Sequence, residues 1–111
     1  MNNKANLHRL TALSGLILDT QLAKLQASAA ERNKSLQQLE GLVAVPSDDP
    51  NDLTHTVTLM RYERWADAMR REINLILARQ TAAWMEARQN AKTAFGRAEV
   101  LKKIQATRSK R

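Results

Sequence analysis

The side chains best equipped to do chemistry in this chain are its cations, and they gather at one end. Residues 88–111 hold eight basic side chains, among them Arg88, Arg97, Lys102 and Lys103, against one acid, Glu99. Residues 1–87 hold ten of each sign, so the whole net charge of +7 belongs to the last stretch. Such a concentrated positive field attracts an acidic protein surface or a polyphosphate, although nucleic-acid binders more often spread their charge along a face. Phe95, Leu101 and Ile104 are interleaved with the cations at helical spacing and add apolar area that suits a protein partner. A second charged run, "RYERWADAMRRE" at residues 61–72, sets Arg61, Arg64, Arg70 and Arg71 among Glu63, Asp67 and Glu72. Its mixed signs read as a solvated helix face rather than a phosphate-tracking stripe, with Trp65 as a half-exposed contact.

Other chemistry has little material to work with. His8 and His55 fall on different helices and lack Asp, Glu or Cys at ligand spacing, so both read as ordinary surface or seam residues. Without cysteine there is no disulfide, thiolate nucleophile or zinc–thiolate site. No glycine-rich phosphate loop, nucleophile elbow or paired carboxylates occur. A two-helix hairpin is also expected to lack room for a pocket of roughly 300 Å³. The expectation is a protein that is not an enzyme and needs no metal or cofactor. No apolar run approaches the roughly 20 residues of a membrane span. "LTALSGLIL" after Lys4 and Arg9 faintly resembles a secretory leader, but no small-x-small cleavage site follows. A cytoplasmic location is the expectation.

The elements that must carry these groups are two helices and one turn. Three glycines, two prolines and 4% aromatic residues are too few for a β-sandwich or barrel. In the first helix Leu18, Leu22, Leu25, Ala29, Arg32, Leu36, Leu39 and Val43 alternate steps of four and three, the spacing of a coiled-coil seam interrupted by one charge. Upstream, Leu7, Leu10, Leu13 and Ile17 continue the stripe in a shifted register. Arg32 reads either as a side chain snorkelling to the flank or as a register-setting polar residue, and Gln80 invites the same two readings. Asn3 or Asn6 is a candidate N-cap, and Gly41 suits a left-handed C-terminal cap with Pro46 following. "VPSDDPND" is the turn, and it also starts the next helix with Asp49 as cap, Pro50 in the first helical position and Asp52 three residues after the cap.

In the second helix the seam runs through Leu59, Tyr62, Ala66, Met69 and Ile73. After a four-residue stutter it continues through Leu77, Gln80, Trp84, Ala87, Ala91, Ala94, Ala98 and Leu101. Asp67 with Arg71, and Glu99 with Lys103, are expected i,i+4 ion pairs. The expected fold is all-α, a single domain forming an antiparallel two-helix coiled-coil hairpin. Its parts are a helix over 4–42, a turn over 43–49, a helix over 50–107 and a basic tail over 108–111. If pairing begins at a turn centred near residue 45, residue i faces roughly residue 90 − i. The first helix would then run out near Ala83, leaving a basic C-terminal helix end overhanging unless Gly96 folds it back.

A short hairpin with a longer, basic second helix, carrying "YERWADAMRREINLILARQ" and "AFGRAEVLKKI" after the capped "SDDPND" turn, resembles the FliJ/YscO-type stalk proteins of flagellar and type III secretion export. Members of that family look like the coiled-coil shaft of a rotary ATPase, insert a free helical end into a hexameric export ATPase and contact the export gate. The resemblance implies that Arg88, Phe95, Arg97, Leu101, Lys102, Lys103 and Ile104 belong to the ATPase-facing end. It implies that Arg61, Arg64, Trp65, Arg70 and Arg71 form a gate-facing surface. Two other readings stay open: a helical nucleic-acid binder using the basic tail, and a structural homo-oligomer in which two copies bury each other's stripes.

Overall fold

The structure is a computed structural model that describes residues 2–42 and 53–109. It is all-α: α1 spans Asn2–Glu40 and α2 spans Leu53–Ser109. The two long helices form an antiparallel hairpin. Asn3 and Asn6 lie inside α1 and so cap nothing. The expected cap at Asp49, Pro50 and Asp52 lies outside the described residues, as do Val43 and Pro46. Gly96 does not break α2, because a glycine costs a helix interior only about 1 kcal/mol and the flanking alanines and leucines favour helix.

Two compact units divide the chain: a terminal unit, Met1–Ala29 with Ala82–Arg111, and a turn unit, Ala30–Thr81. In the turn unit Leu42, Ala66 and Ile73 form a buried cluster, with Leu39, Tyr62 and Met69 packed against it. Polar bonds cross the helix pair beside this cluster. Ser35 Oγ donates to Gln80 Oε1 at 2.5 Å, and Arg32 Nε donates to Thr81 Oγ1 at 3.1 Å. Arg32 and Gln80 therefore act in the register-setting sense, since a slipped register would leave half-buried polar groups unpaired.

The end of α1 is closed by the partner helix. No glycine has a positive φ, so Gly41 is not a left-handed cap; its N–H simply donates to the Gln37 carbonyl at 3.0 Å. The Leu42 carbonyl instead accepts from Arg70 Nη2 on α2, which places a cation against the negative end of α1. Arg70 is further held by Asp67 at 2.7 Å and Glu63 at 3.8 Å. This replaces the expected Asp67–Arg71 pair, because the guanidinium that meets the α1 terminus is the one Asp67 can also reach. Glu99 likewise pairs with Lys102, at 3.7 Å, one residue short of Lys103.

In the terminal unit the seam of α2 is built from Ala87, Ala91, Ala94 and Ala98, all buried, with Ala98 only 2% exposed. Against it lies the α1 segment, whose residues nearest the seam are Leu7, Thr11, Ser14, Leu18, Gln21, Leu25 and Ser28. His8 Nδ1 meets Gln105 Nε2 at 3.3 Å. This overturns the expected overhang. Counting outward from a turn near residue 45 would have set His8 beside residue 82 and Ser35 beside residue 55. They meet Gln105 and Gln80 instead, so the C-terminal end is covered by the start of α1. The physical reason is that polar seam groups and small residues set the register, whereas the turn only joins the helices.

Candidate partner-binding surface

The seam decides which side chains face solvent. Residues one heptad apart stay on one stripe of a helix, and the two stripes flanking the seam lie on opposite sides of the helix pair. Arg88, Phe95 and Lys102 are spaced by seven and share one flank; Phe95 is 56% exposed, and the Arg88 guanidinium lies 5.7 Å from the Trp84 ring centroid. Arg97 and Ile104 occupy the other flank, and both are exposed. Lys103 is exposed on the outer face. Leu101 is half-buried in the seam itself. The residues expected to face an ATPase are thus spread around a helix pair rather than gathered on one face. Leu101 belongs to the packing and is not part of the free surface.

The stretch expected to face an export gate divides in the same way. Arg61, Arg64, Trp65 and Arg71 are exposed on α2, and Trp65 is 53% exposed with its ring centroid 5.7 Å from that of Tyr62. Arg70 turns toward the seam and is engaged by Leu42, Asp67 and Glu63. It is a structural residue of the turn unit.

Further groups join the surface that periodicity alone misassigned. Leu10, Leu13 and Ile17 are exposed rather than in a drifting seam, because Leu7, Thr11, Ser14 and Leu18 hold the seam with no drift. Their i, i+3, i+7 spacing was legible as a stripe, but an apolar stripe was taken as the inner one. On the same side as Ile17, a groove of about 260 Å³ runs between α1 and α2, lined by Ile17, Gln21, Asn90, Thr93, Ala94 and Arg97. It shares Gln21 and Asn90 with a neighbouring hollow that includes Lys24 and Ala83. It shares Thr93 and Arg97 with a third hollow over Gly96 and Val100.

The free ends of the two helices enclose an open cleft of about 650 Å³ lined by Lys4, His8, Arg9, Gln105 and Arg108 among others. The expectation that a hairpin lacks room for a hollow of this size fails here, because long side chains at the helix ends border an open cleft rather than an enclosed pocket. His8 faces this cleft, exposed; His55 is exposed on α2. Among the described residues no group of three or more His, Cys, Asp or Glu is placed to hold a metal ion.

Charge separates the two units. The sequence of the terminal unit carries eleven basic and three acidic side chains, a surplus of eight, whereas the turn unit carries seven basic and eight acidic. The start of α1 contributes Lys4, Arg9 and Lys24 to the positive unit, which a reading confined to the C-terminal residues undercounts. Among the described residues no helix is long and apolar enough to cross a membrane. Comparison with protein-family models, with curated proteins and with solved structures found no significant match to this chain.

Proposed function

We propose that this chain is a non-enzymatic, cytoplasmic coiled-coil adaptor or stalk of a flagellar or type III export apparatus. In this reading the terminal unit docks into a hexameric export ATPase, and the exposed Arg61, Arg64, Trp65 and Arg71 stretch meets an export-gate protein. The observation that supports it is the strongly basic helix pair of the terminal unit, with cations and exposed apolar side chains on both flanks. A paired end differs from the lone helix first expected, and it is the better shaft: two helices braced along an alanine seam resist bending and present charge around the whole circumference. Charge steers association with a negatively charged ring opening, and burial of Phe95 and Ile104 sets the bound lifetime.

The test uses the full chain and a purified export ATPase. Phe95 and Ile104 are exposed, so changing both to Ser should leave the circular dichroism spectrum unchanged while shortening the lifetime of the complex at least tenfold. Charge reversal at Arg88 and Lys102 should slow association and flatten its salt dependence. An ATPase that ignores the wild-type chain, or binds the Phe95→Ser/Ile104→Ser variant equally well, rejects the docking role.

The terminal cleft favours one other reading. Lys4, Arg9 and Arg108 around an open hollow suit phosphate groups. Were duplex DNA the partner, affinity would fall with salt at a logarithmic slope near −0.9 per phosphate contact. A slope of several units with tight binding would favour that reading; weak, salt-labile binding favours the adaptor.

A further inference from the structure

The groove of the terminal unit contains an unmet hydrogen-bond acceptor. Gln21 Oε1 is inaccessible to solvent and has no hydrogen-bond partner. Gln21 and Asn90 both line two of the adjoining hollows. An unpaired buried acceptor is a cost that the packing of this stretch carries. The surrounding floor is small, with Ala27, Ala83, Ala87 and Ala94 in the linings that span both helices, and Gly96 opens an adjoining hollow on α2 alone. Small residues between two helices are what a third helix needs in order to seat closely. One end of the trough is bordered by the exposed aliphatic side chains Leu10, Leu13, Ile17, Val100 and Ile104. From Leu10 to Ser28 the α1 wall is about 28 Å long at 1.5 Å per residue, the length of a helix of nearly three heptads.

From these observations we infer that the trough between α1 and α2 in the terminal unit is the docking site for an acidic amphipathic helix of another protein. That helix completes a local three-helix bundle over the groove. Charge selects this occupant. Lys24 and Arg97 line the trough against one acid, Glu86, with Lys92 in the adjoining hollow on α2, in a unit with a surplus of eight positive charges, so glutamate-rich flanks are complementary. A second copy would bring either the same positive unit or the nearly neutral turn unit, and neither compensates that charge. The bases of a nucleic acid gain little from an aliphatic wall. The inference stands without the export reading, since it concerns a side groove and needs no ATPase.

The probe is a designed 21-residue helical peptide with Leu and Ala on its contact face and Glu on both flanks. Its control has Lys in place of every Glu. Titrated into the full-length chain, the Glu peptide should bind and gain helicity, and the Lys peptide should bind at least 30-fold more weakly. Ile17→Asp should weaken Glu-peptide binding at least tenfold. Lys24→Glu with Arg97→Glu, which leaves the apolar wall intact, should abolish the preference between the two peptides. The free chain should sediment as a monomer. Absence of Glu-peptide binding, or equal binding of both peptides, overturns the inference. So does a dimer that Ile17→Asp disperses, which gives the trough to a second copy. Retention on anionic phospholipid vesicles that is lost in Ile17→Asp also overturns it, by giving the trough to a lipid surface.

Discussion

The turn unit and the terminal unit use one helix pair to opposite ends. In the turn unit large side chains interlock: Ile73 and Leu42 are buried against Leu39, Tyr62 and Met69, and Ser35–Gln80 and Arg32–Thr81 fasten the register. In the terminal unit the fully buried side chains of α2 are four alanines; Leu7, Leu18, Leu25, Trp84 and Leu101 are half-buried beside them, and Leu10, Leu13, Ile17, Phe95, Val100 and Ile104 stay at the surface. A small-residue seam lets helices approach closely but removes little apolar area from water, at roughly 25 cal/mol per Å². The turn unit therefore specifies the pairing, and the terminal unit spends many of its large side chains and its cations on its outside. The lesson is that burial and exposure of leucines in a two-helix protein cannot be assigned without knowing where the polar residues of the seam fall.

That contrast can be broken by changing side-chain size on either side of it. Ile73→Ala removes a buried side chain from the interlocked cluster and should cost about 2–5 kcal/mol, read as a lower urea midpoint. Ala98→Leu in the alanine seam should cost about 1–3 kcal/mol by overpacking. If Ala98→Leu stabilises the chain instead, the terminal seam has room to spare and the distinction between the units collapses. Gly96→Ala sharpens the picture. Its new methyl group meets open space, so the gain in helix propensity should appear undiminished, at about 0.5–1 kcal/mol of added stability. The same methyl group narrows the hollow beside Val100 and should weaken any helix that seats there.

Much of this was legible in the residues. Every α2 position from Leu59 to Leu101 that the periodicity assigned to the seam, stutter included, is buried or half-buried. In α1 six of the seven described seam positions, Leu18, Leu25, Ala29, Arg32, Leu36 and Leu39, are half-buried, and one column of the seam was passed over. Leu18, Leu25, Arg32 and Leu39 hold one of its two heptad positions, but the other belongs to Ser14, Gln21, Ser28 and Ser35. A search for apolar spacing passes over those four and selects Leu22, which is 47% exposed. Their own spacing of seven was the available signal. Register was illegible for a related reason: a turn brings helices side by side but leaves sliding to be settled by cross-helix contacts, and these only a structure displays. The trough followed from the same error, since a helix end believed to lack a partner has no groove beside one.

The register is open to direct measurement because the chain contains no cysteine. Paired cysteines can therefore be introduced without background, as His8→Cys with Gln105→Cys and, for comparison, His8→Cys with Ala82→Cys. At dilute concentration a short bis-maleimide should link the 8/105 pair within one chain, since those side chains meet at 3.3 Å in the native pairing. It should leave the 8/82 pair unlinked. Efficient linking of 8/82 with none at 8/105 would return the C-terminal end to a free overhang, and it would remove both the paired basic unit and its trough.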